Sequence, residues 1–302
     1  MSKKILIITG GPVKKLDAFI APSRELGMDV TLASFYDLNF RAESEGGVVF
    51  RIKDEDLANF DLVYLRVVGK RLESATALVN YLVERGIRVV DRVYEKSLFI
   101  PSTLSKSQEY IRLVKNGIST PKSLFGSLYY LRDFGEKYLG FPFVIKSTSG
   151  KKGRDVWLPR DKSELGELIV KLRVREKTGE NFFAQEFIRA SQRVRVLVIG
   201  ERAIAGVTRP AKWRKRFAEK VDGIFPEGKK EAVYPVPDKF ADLGVLAAKA
   251  GELDISGIDI LEEDETGKLF VIEANSAPSW NLIKKDVGVE VEKEILIYLN
   301  SL

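Results

Sequence analysis

Along the first third of the chain, short apolar runs alternate with segments of helical spacing. KKILIITGG is an apolar run that ends at Gly10-Gly11, as a buried parallel strand feeding a turn would read. Residues 14–27 place Leu16, Phe19, Ile20 and Leu26 at helical spacing and stop at Gly27. MDVTLASF, FDLVYLRV and GIRVVD repeat the strand pattern, and ESATALVNYLVERG reads as a helix between the last two. This alternation over residues 1 to about 95 predicts a small open α/β lobe. Gly10-Gly11 lacks the spacing of a dinucleotide fingerprint and reads as a strand-end turn.

The pattern then changes. SKSQEYIRLVKNG reads as a helix with Tyr110, Ile111, Leu113 and Val114 as its apolar positions, ISTPKSLFG as a strand, and SLYYLRDFGEKYLG as a second helix. FPFVIKS and DVWLP are strands joined by the glycine-bearing loop TSGKKGR; a helix over 161–175 and the strand NFFAQEFI follow. From residue 193, RVRVLVIG and RAIAGVTRP read as an antiparallel pair turning at Gly200-Glu201. A helix near 238–251 precedes the strands SGIDIL and LFVIEAN, and residues 288–301 close the chain as a helix.

Those last two strands carry acids where core strands should not. Paired as a hairpin, they put Asp259 opposite Glu273 and Leu261 opposite Val271, with Asn275 on the acidic face and Ile258, Ile260, Phe270, Ile272 and Ala274 on the other. Two carboxylates about 5 Å apart repel by roughly 3 kcal/mol at an effective dielectric near 20. A cation between them removes the conflict, and a donor set of two acids and an amide suits Mg²⁺ or Mn²⁺. Alternatively, this face looks into water and the acids only keep it soluble. Under the metal reading, neutralising either acid should abolish turnover and leave the fold intact.

Composition narrows the chemistry. The 302 residues are 45% hydrophobic and 30% charged, enough for two or three lobes, and no apolar run approaches a membrane span. Cysteine is absent, which excludes disulfides and thiolate metal sites and fits the cytoplasm as the expected location. Histidine is absent too, so catalytic triads and imidazole zinc sites are excluded. The net charge of +6 suits an anionic ligand.

Other candidates are weaker singly. Lys146 ends an apolar run, where it must snorkel or meet an anion. The loop that follows, with Ser149, Gly150 and Gly153, lets backbone N–H groups approach phosphate, although it is not a Walker A motif. Lys106 stands early in its helix. Arg195 alternates with valines and projects away from the apolar side, and AQEFI could offer backbone groups and an apolar wall to a flat base. Arg209, Lys212, Arg214, Lys215 and Arg216 place five positive charges within eight residues, as a substrate-facing cluster or as a solvated loop.

Taken in order, FVIKSTSGKKG, FFAQEFI, RVRVLVIG, ISGIDIL and FVIEANSAPS make the chain resemble the ATP-grasp superfamily, and within it the RimK-like carboxylate–amine ligases. The resemblance covers essentially the whole chain. It implies an α/β fold of three lobes: a Rossmann-like lobe over 1–95, a central ATP-grasp lobe with the glycine loop over 96–188, and a C-terminal ATP-grasp lobe with the acidic hairpin over 189–302. It also implies that Lys106 and Lys146 hold ATP phosphates and that Ser149 to Gly153 close over them. Glu186, Phe187 and Ile188 would form the adenine hinge, and Arg195 would reach the γ-phosphate or acyl phosphate. Asp259, Glu273 and Asn275 would be the ligands of Mg²⁺ or Mn²⁺, and Arg209 would face the substrate. Two positions depart from the family pattern: Arg193 stands where Asp is usual, and Arg216 where Asn is usual.

The implied reaction joins a carboxylate to an amine through an acyl phosphate, releasing ADP and phosphate, with an amino acid such as glutamate or an acidic peptide or protein tail as substrate. It needs no protein nucleophile. No membrane partner is expected, and self-association is left open. Two alternatives remain. One is an ATP-grasp scaffold that binds nucleotide without ligating. The other is a nucleic-acid-binding protein using the basic cluster and Trp213, which is disfavoured because it leaves Asp259 and Glu273 without a role.

Overall fold

Ile5 to Ile8 have no exposed surface at all, so both faces of the first strand need apolar cover, as a central parallel strand receives. In the computed structural model, which describes residues 3–44, 47–96, 105–148, 155–210 and 230–302, that strand is β1 (Lys4–Thr9). A 3₁₀ turn over Val13–Phe19 and a short α1 (Ile20–Glu25) lead to β2 (Asp29–Ser34), parallel to β1. The helix expected over 14–27 is therefore half 3₁₀.

The alternation of strand and helix then breaks. β3 (Leu38–Glu43), β4 (Gly47–Ile52) and β5 (Glu55–Asp56) form a separate antiparallel sheet, which the strict α/β reading missed. Its inward residues Phe50 and Ile52 are buried, and Phe40 stacks on Phe50 at 4.7 Å, so the sheet caps one face of the lobe. β6 (Leu62–Val67), α2 (Leu72–Glu84) and β7 (Arg88–Val90) complete the parallel sheet in the order β2–β1–β6–β7.

The next unit contains α3 (Lys106–Lys115), β8 (Ser123–Phe125), α4 (Leu128–Leu139), β9 (Phe143–Ser147), β10 (Val156–Trp157), α5 (Lys162–Lys177) and β11 (Phe182–Glu186). Its strands form an antiparallel sheet in the order β10–β9–β11–β8. Leu128 and Leu131 of α4 and Leu165, Ile169 and Leu172 of α5 cover one face of that sheet, leaving the other for Lys146 and Gln185.

The third unit is β12 (Gln192–Ile199), β13 (Arg202–Pro210), β14 (Glu231–Val233), α6 (Asp238–Ala250), β15 (Ile255–Glu262), β16 (Leu269–Asn275), α7 (Asn281–Val287) and α8 (Val291–Ser301). The hairpin at Gly200-Glu201 forms as read, with Ile199 opposite Arg202. The sheet order is β14–β13–β12–β15–β16. Val194, Val196, Val198, Ile258 and Ile260 pack against α6. On the opposite face, Leu197, Ile199 and Ile255 pack with Ile5 and Ile7 of β1 and with Ile295 and Leu296 of α8. Each such side chain, fully buried, contributes roughly 1.5–3 kcal/mol. That apolar half of the face docks the first sheet, and its other half is charged.

The acidic hairpin is in the expected register only in part. Gly257 faces Asn275, Ile258 faces Ala274 and Asp259 faces Glu273, but a bulge follows, and Ile260 pairs with Val271 and Leu261 with Phe270. One extra residue, Ile272, sits in β16, and it turns the side chains beyond it to the other face. Val271 thus joins Ile258 and Ile260 in the core, whereas Phe270 and Ile272 pack on the far side with Ile188 and Leu261. The expected apolar face of Phe270 and Ile272, and the Leu261–Val271 pair, are corrected accordingly. No helix among the described residues is long and apolar enough to cross a membrane.

Candidate active site

Asp259 sits in the middle of β15 with no exposed surface. Arg195, its cross-strand partner on β12, donates from Nε to Oδ1 at 2.6 Å and from Nη2 to Oδ2 at 2.7 Å, a two-pronged pair. Arg193 adds a third bond, from Nη1 to Oδ2 at 3.2 Å. The same Arg195 lies 4.0 Å from Oε2 of Glu273, so a guanidinium stands between the opposed acids. Relief of their repulsion therefore does not by itself require a metal. Nor does an acid-to-amide change at Asp259 relieve anything: it would leave buried guanidiniums without their counter-charge. The expectation that neutralising this acid leaves the fold untouched is corrected.

Glu273 has its own cation. Lys106, the first residue of α3, donates to Glu273 Oε1 at 2.8 Å and to Glu109 Oε2 at 2.9 Å. Ser105 caps the helix by accepting from Gln108 N, which fixes the first turn and so the direction of Lys106. Burial pushes Glu273 up, but Lys106, then Arg195 and Asn275, outweigh it and hold the carboxyl at about 2. Burial likewise pulls Lys106 down, and Glu109 and Glu273 outweigh it, so this lysine stays charged. Asn275 donates to the carbonyl of Gly257 at 3.3 Å, keeping its amide beside the acidic pair.

Lys146 is in a different state. It projects from β9 beside Phe183 and donates to Gln185 Oε1 at 2.5 Å. Gln185 is itself held by Tyr110 Oη at 2.6 Å and Ser123 Oγ at 2.8 Å, and Tyr110 donates to the carbonyl of Ile272 at 3.1 Å. Burial, helped by Lys106, pushes the Lys146 ammonium down to about 8. A half-buried lysine with a neutral partner is prepared for an incoming anion.

Sequence reasoning missed Glu109 and Gln185 as parts of this constellation and had Arg193 only as a departure from the family pattern. Glu109 is buried on the same helix face as Lys106, three residues on, and also accepts from Ala274 N at 2.8 Å. That spacing was a readable signal. Gln185 carries no such signal, since only the pairing of β9 with β11 brings it to Lys146.

The remaining candidates divide. Glu186 N donates to the carbonyl of Lys122 at 2.8 Å, Phe187 packs by Val144 and Leu158, and Ile188 is buried with Ala190, Leu261 and Phe270. Glu186 ends β11, and Phe187 and Ile188 follow it. Arg209, on β13 directly opposite Arg193, is half-buried; burial, then Arg195 and Arg193, lower its pKa. Ser149, Gly150 and Gly153, and the cluster Lys212, Trp213, Arg214, Lys215 and Arg216, lie outside the described residues.

On donor chemistry, Asp259, Glu273 and Asn275 fit a hard divalent cation: two carboxylates and an amide oxygen converge from neighbouring strands on one face. They could hold it only if Arg195 and Lys106 give up those oxygens, and an anion brought in with the metal would draw them off. Among the described residues no group of three or more acids forms a ready-made metal cage.

Comparison with known proteins shows the family. Residues 104–299 match the RimK-like ATP-grasp domain. A probable alpha-L-glutamate ligase of Alkalilimnicola ehrlichii is 28% identical over 255 residues, covering 82% of this chain and 79% of that protein. A protein of the same description from Legionella pneumophila is 28% identical over 248 residues, covering 81% and 78%. Among solved structures, the ATP-grasp ligase PsnB in complex with a phosphomimetic variant of its minimal precursor, Mg and ADP superposes with a TM-score of 0.70 at 18% identity, covering 100% of this chain and 99% of that one. The macrocyclase MdnC of Microcystis aeruginosa, bound to its precursor peptide MdnA, gives 0.67 at 14% identity, with 98% and 99% covered. The chain belongs to the RimK-like ATP-grasp family, and with it to the ATP-dependent ligases that form carbon–nitrogen bonds.

Proposed function

We propose that this chain phosphorylates a carboxylate of an acidic peptide tail, or of an amino acid such as glutamate, with ATP and then joins it to an amine. The observation that carries this reading is the convergence of Lys106 on Glu273 and of Arg195 on Asp259, with Lys146 held nearby by Gln185, at one charged face. The three lobes keep the boundaries 1–95, 96–188 and 189–302, with nucleotide between the last two.

In the first step a carboxylate oxygen attacks the γ-phosphorus, the bond to the β-phosphate oxygen breaks, and ADP leaves. Lys146, as the ammonium, meets the phosphate oxygens together with Lys106. Arg195 swings from Asp259 to the transferred group, where its fork matches a phosphoryl or acyl phosphate. In the second step the amine attacks the acyl carbon, phosphate departs, and the amine proton passes to it or to solvent. Asp259, Glu273 and Asn275 would hold Mg²⁺, which when bound offsets charge on the phosphates. Arg209 orients the acid substrate, and Ile188 with its apolar neighbours walls the adenine.

One observation favours a second reading, nucleotide binding without ligation: Arg193 competes for the same Asp259 oxygen that a metal would use. ADP release separates the two. With magnesium, ATP, a glutamate-rich peptide and free glutamate, the ligase reading expects ADP and a peptide heavier by one glutamyl residue in the mass spectrum. Thermal stabilisation by ATP, with no ADP from any tested pair of acid and amine, would leave only the second reading.

A further inference from the structure

A cavity of about 450 Å³ lies beside the charged face without sharing its residues, lined by Lys15 and Arg66 of the first unit and by Trp280, Asn281, Lys284 and Lys285 of the third. Its position follows from topology. In the sheet order β2–β1–β6–β7, the chain leaves β1 toward one side and later returns to the other, so the carboxyl ends of β1 and β6 form a switch point. In open α/β sheets that crevice is where ligands bind. Just past β1, Gly10 packs closely on the chain leaving β6: a Cβ there would stand 2.3 Å from the carbonyl oxygen of Val68. Arg66 ends β6 at the crevice, and Lys15 follows β1.

The cavity is cationic and partly pre-arranged. Arg66 donates from Nη2 to the carbonyl of Pro278 at 2.6 Å and sits over the Trp280 ring at 3.9 Å, so its guanidinium is held in place. The one acid of the lining, Glu292, is already engaged by Lys284 at 2.7 Å and by Trp280 Nε1 at 2.9 Å. Among the described residues Lys15, Arg66 and Lys285 have no ion pair. The volume falls within the roughly 300–1,000 Å³ of small-molecule sites, too large for a single simple anion.

The cavity also adjoins the charged face. A Cβ on Gly257 would stand 2.9 Å from Pro278 and 3.3 Å from the side chain of Arg195, so Pro278 has Arg66 on one side and the Gly257–Arg195 contact on the other. A carboxylate-bearing chain seated over Trp280 would enter beside the place where Arg195 acts.

We propose that this cavity, framed by Lys15, Arg66 and Lys285 over Trp280, captures the carboxylates of an acidic peptide segment. Its role as the substrate's entry site rests on the ligase reading above; the capture of carboxylates does not. Lys15 and Lys285 are exposed, so the attraction weakens with salt, whereas Arg66 and Trp280 fix the seat.

Isothermal titration with an N-acetylated hexaglutamate tests it, with hexaglutamine and tripolyphosphate as companion probes. Hexaglutamate should bind wild type. Lys15→Glu and Lys285→Glu should each weaken it about tenfold, since reversing a charge at a charge-assisted contact costs at least that factor. Lys177→Glu, the same charge change on the outer end of α5, should leave it within about twofold. Equal weakening by all three variants, binding of hexaglutamine as tight as hexaglutamate, or a preference for tripolyphosphate would each overturn the proposal. The ligase reading fails separately. Intact peptide binding with no ADP release sinks that reading alone, and ADP release whose peptide KM is indifferent to Lys15→Glu and Lys285→Glu sinks the cavity alone.

Discussion

Two like-charge pairs face each other across strands of the same sheet, and they have been treated differently. On β15 and β16, Asp259 opposes Glu273; on β12 and β13, Arg193 opposes Arg209. Like charges directly opposite are unfavourable in either sign. The acids have been answered from within the chain, Asp259 by Arg195 and Arg193, Glu273 by Lys106. The arginines have been answered only in part, Arg193 by its one bond to Asp259. Arg193 is buried at 6% exposure, yet its Nε and Nη2, like Nε of Arg209, have no hydrogen-bond partner among the described residues. Burying a guanidinium without full pairing is costly, so a protein keeps such an arrangement where something beyond the described residues completes it. The face carries a surplus of positive charge placed for oxyanions.

The sharpest break in the comparison is at Asp259. Asp259→Asn should lower ADP formation about a thousandfold, as loss of a central electrostatic group does. It should also cost about 3–5 kcal/mol of stability, because one buried half of an ion-paired cluster is removed. Glu273→Gln should match the loss of activity with a smaller loss of stability, since its side chain is 33% exposed and solvent screens the change. Urea unfolding beside ADP assays checks both. Equal stability losses at the two acids would mean that burial and the bidentate arginine do not distinguish them.

The lysines sharpen it next. Lys106, with two carboxylates, stays charged, whereas Lys146, with an amide, is held at about 8. If Lys146 must be protonated to meet a phosphate, nucleotide binding takes up a proton once the pH exceeds 8. Affinity for the ATP analogue should then fall about tenfold per pH unit above 8, the cost of protonating the lysine being about 1.4 kcal/mol per unit. Lys146→Met should bind about tenfold more weakly at pH 7 and lose that pH limb. A wild-type profile flat to pH 10 would remove Lys146 from the phosphate site.

How much of this was legible beforehand depends on how local the cause is. Asp259 opposite Glu273 follows from period-two alternation and a short hairpin, and Lys146 from a charge ending an apolar run; both are local patterns. The bulge at Ile272 is not, because inserting one residue into LFVIEAN leaves no mark in composition, and it is stabilised by distant partners such as the carbonyl of Ser119, which accepts from Val271 N at 2.8 Å. The β3–β4 sheet was overlooked because LNFRAE and GVVFRI carry charges among their apolar positions, as a half-exposed antiparallel hairpin must. The partner of Arg195 was visible only as an alternation; that it bridges both acids depends on β12 lying next to β15, a pairing across sixty-odd residues of chain. The cavity over Trp280 was wholly tertiary. Arg66 reads as the end of a strand, and nothing near it in sequence points to Pro278.

The smallest effect concerns the arginines themselves, and it separates stability from function. Arg193 makes one bond of 3.2 Å to an aspartate that Arg195 already grips twice. Arg193→Met keeps the aliphatic bulk, removes two buried donors without partners, and ends the repulsion across to Arg209. Each unpaired buried donor costs about 1–3 kcal/mol, and the lost bond to Asp259 offsets part of the gain, so the variant should be more stable by about 1 kcal/mol in urea. If the surplus charge serves an anionic ligand, the same variant should bind that ligand a few-fold more weakly, and a gain in stability would accompany a loss in function, as at sites held in tension for a purpose. A variant less stable than wild type by 1 kcal/mol or more would show that the two arginines tolerate each other without help, and the contrast between the acidic and basic pairs would dissolve.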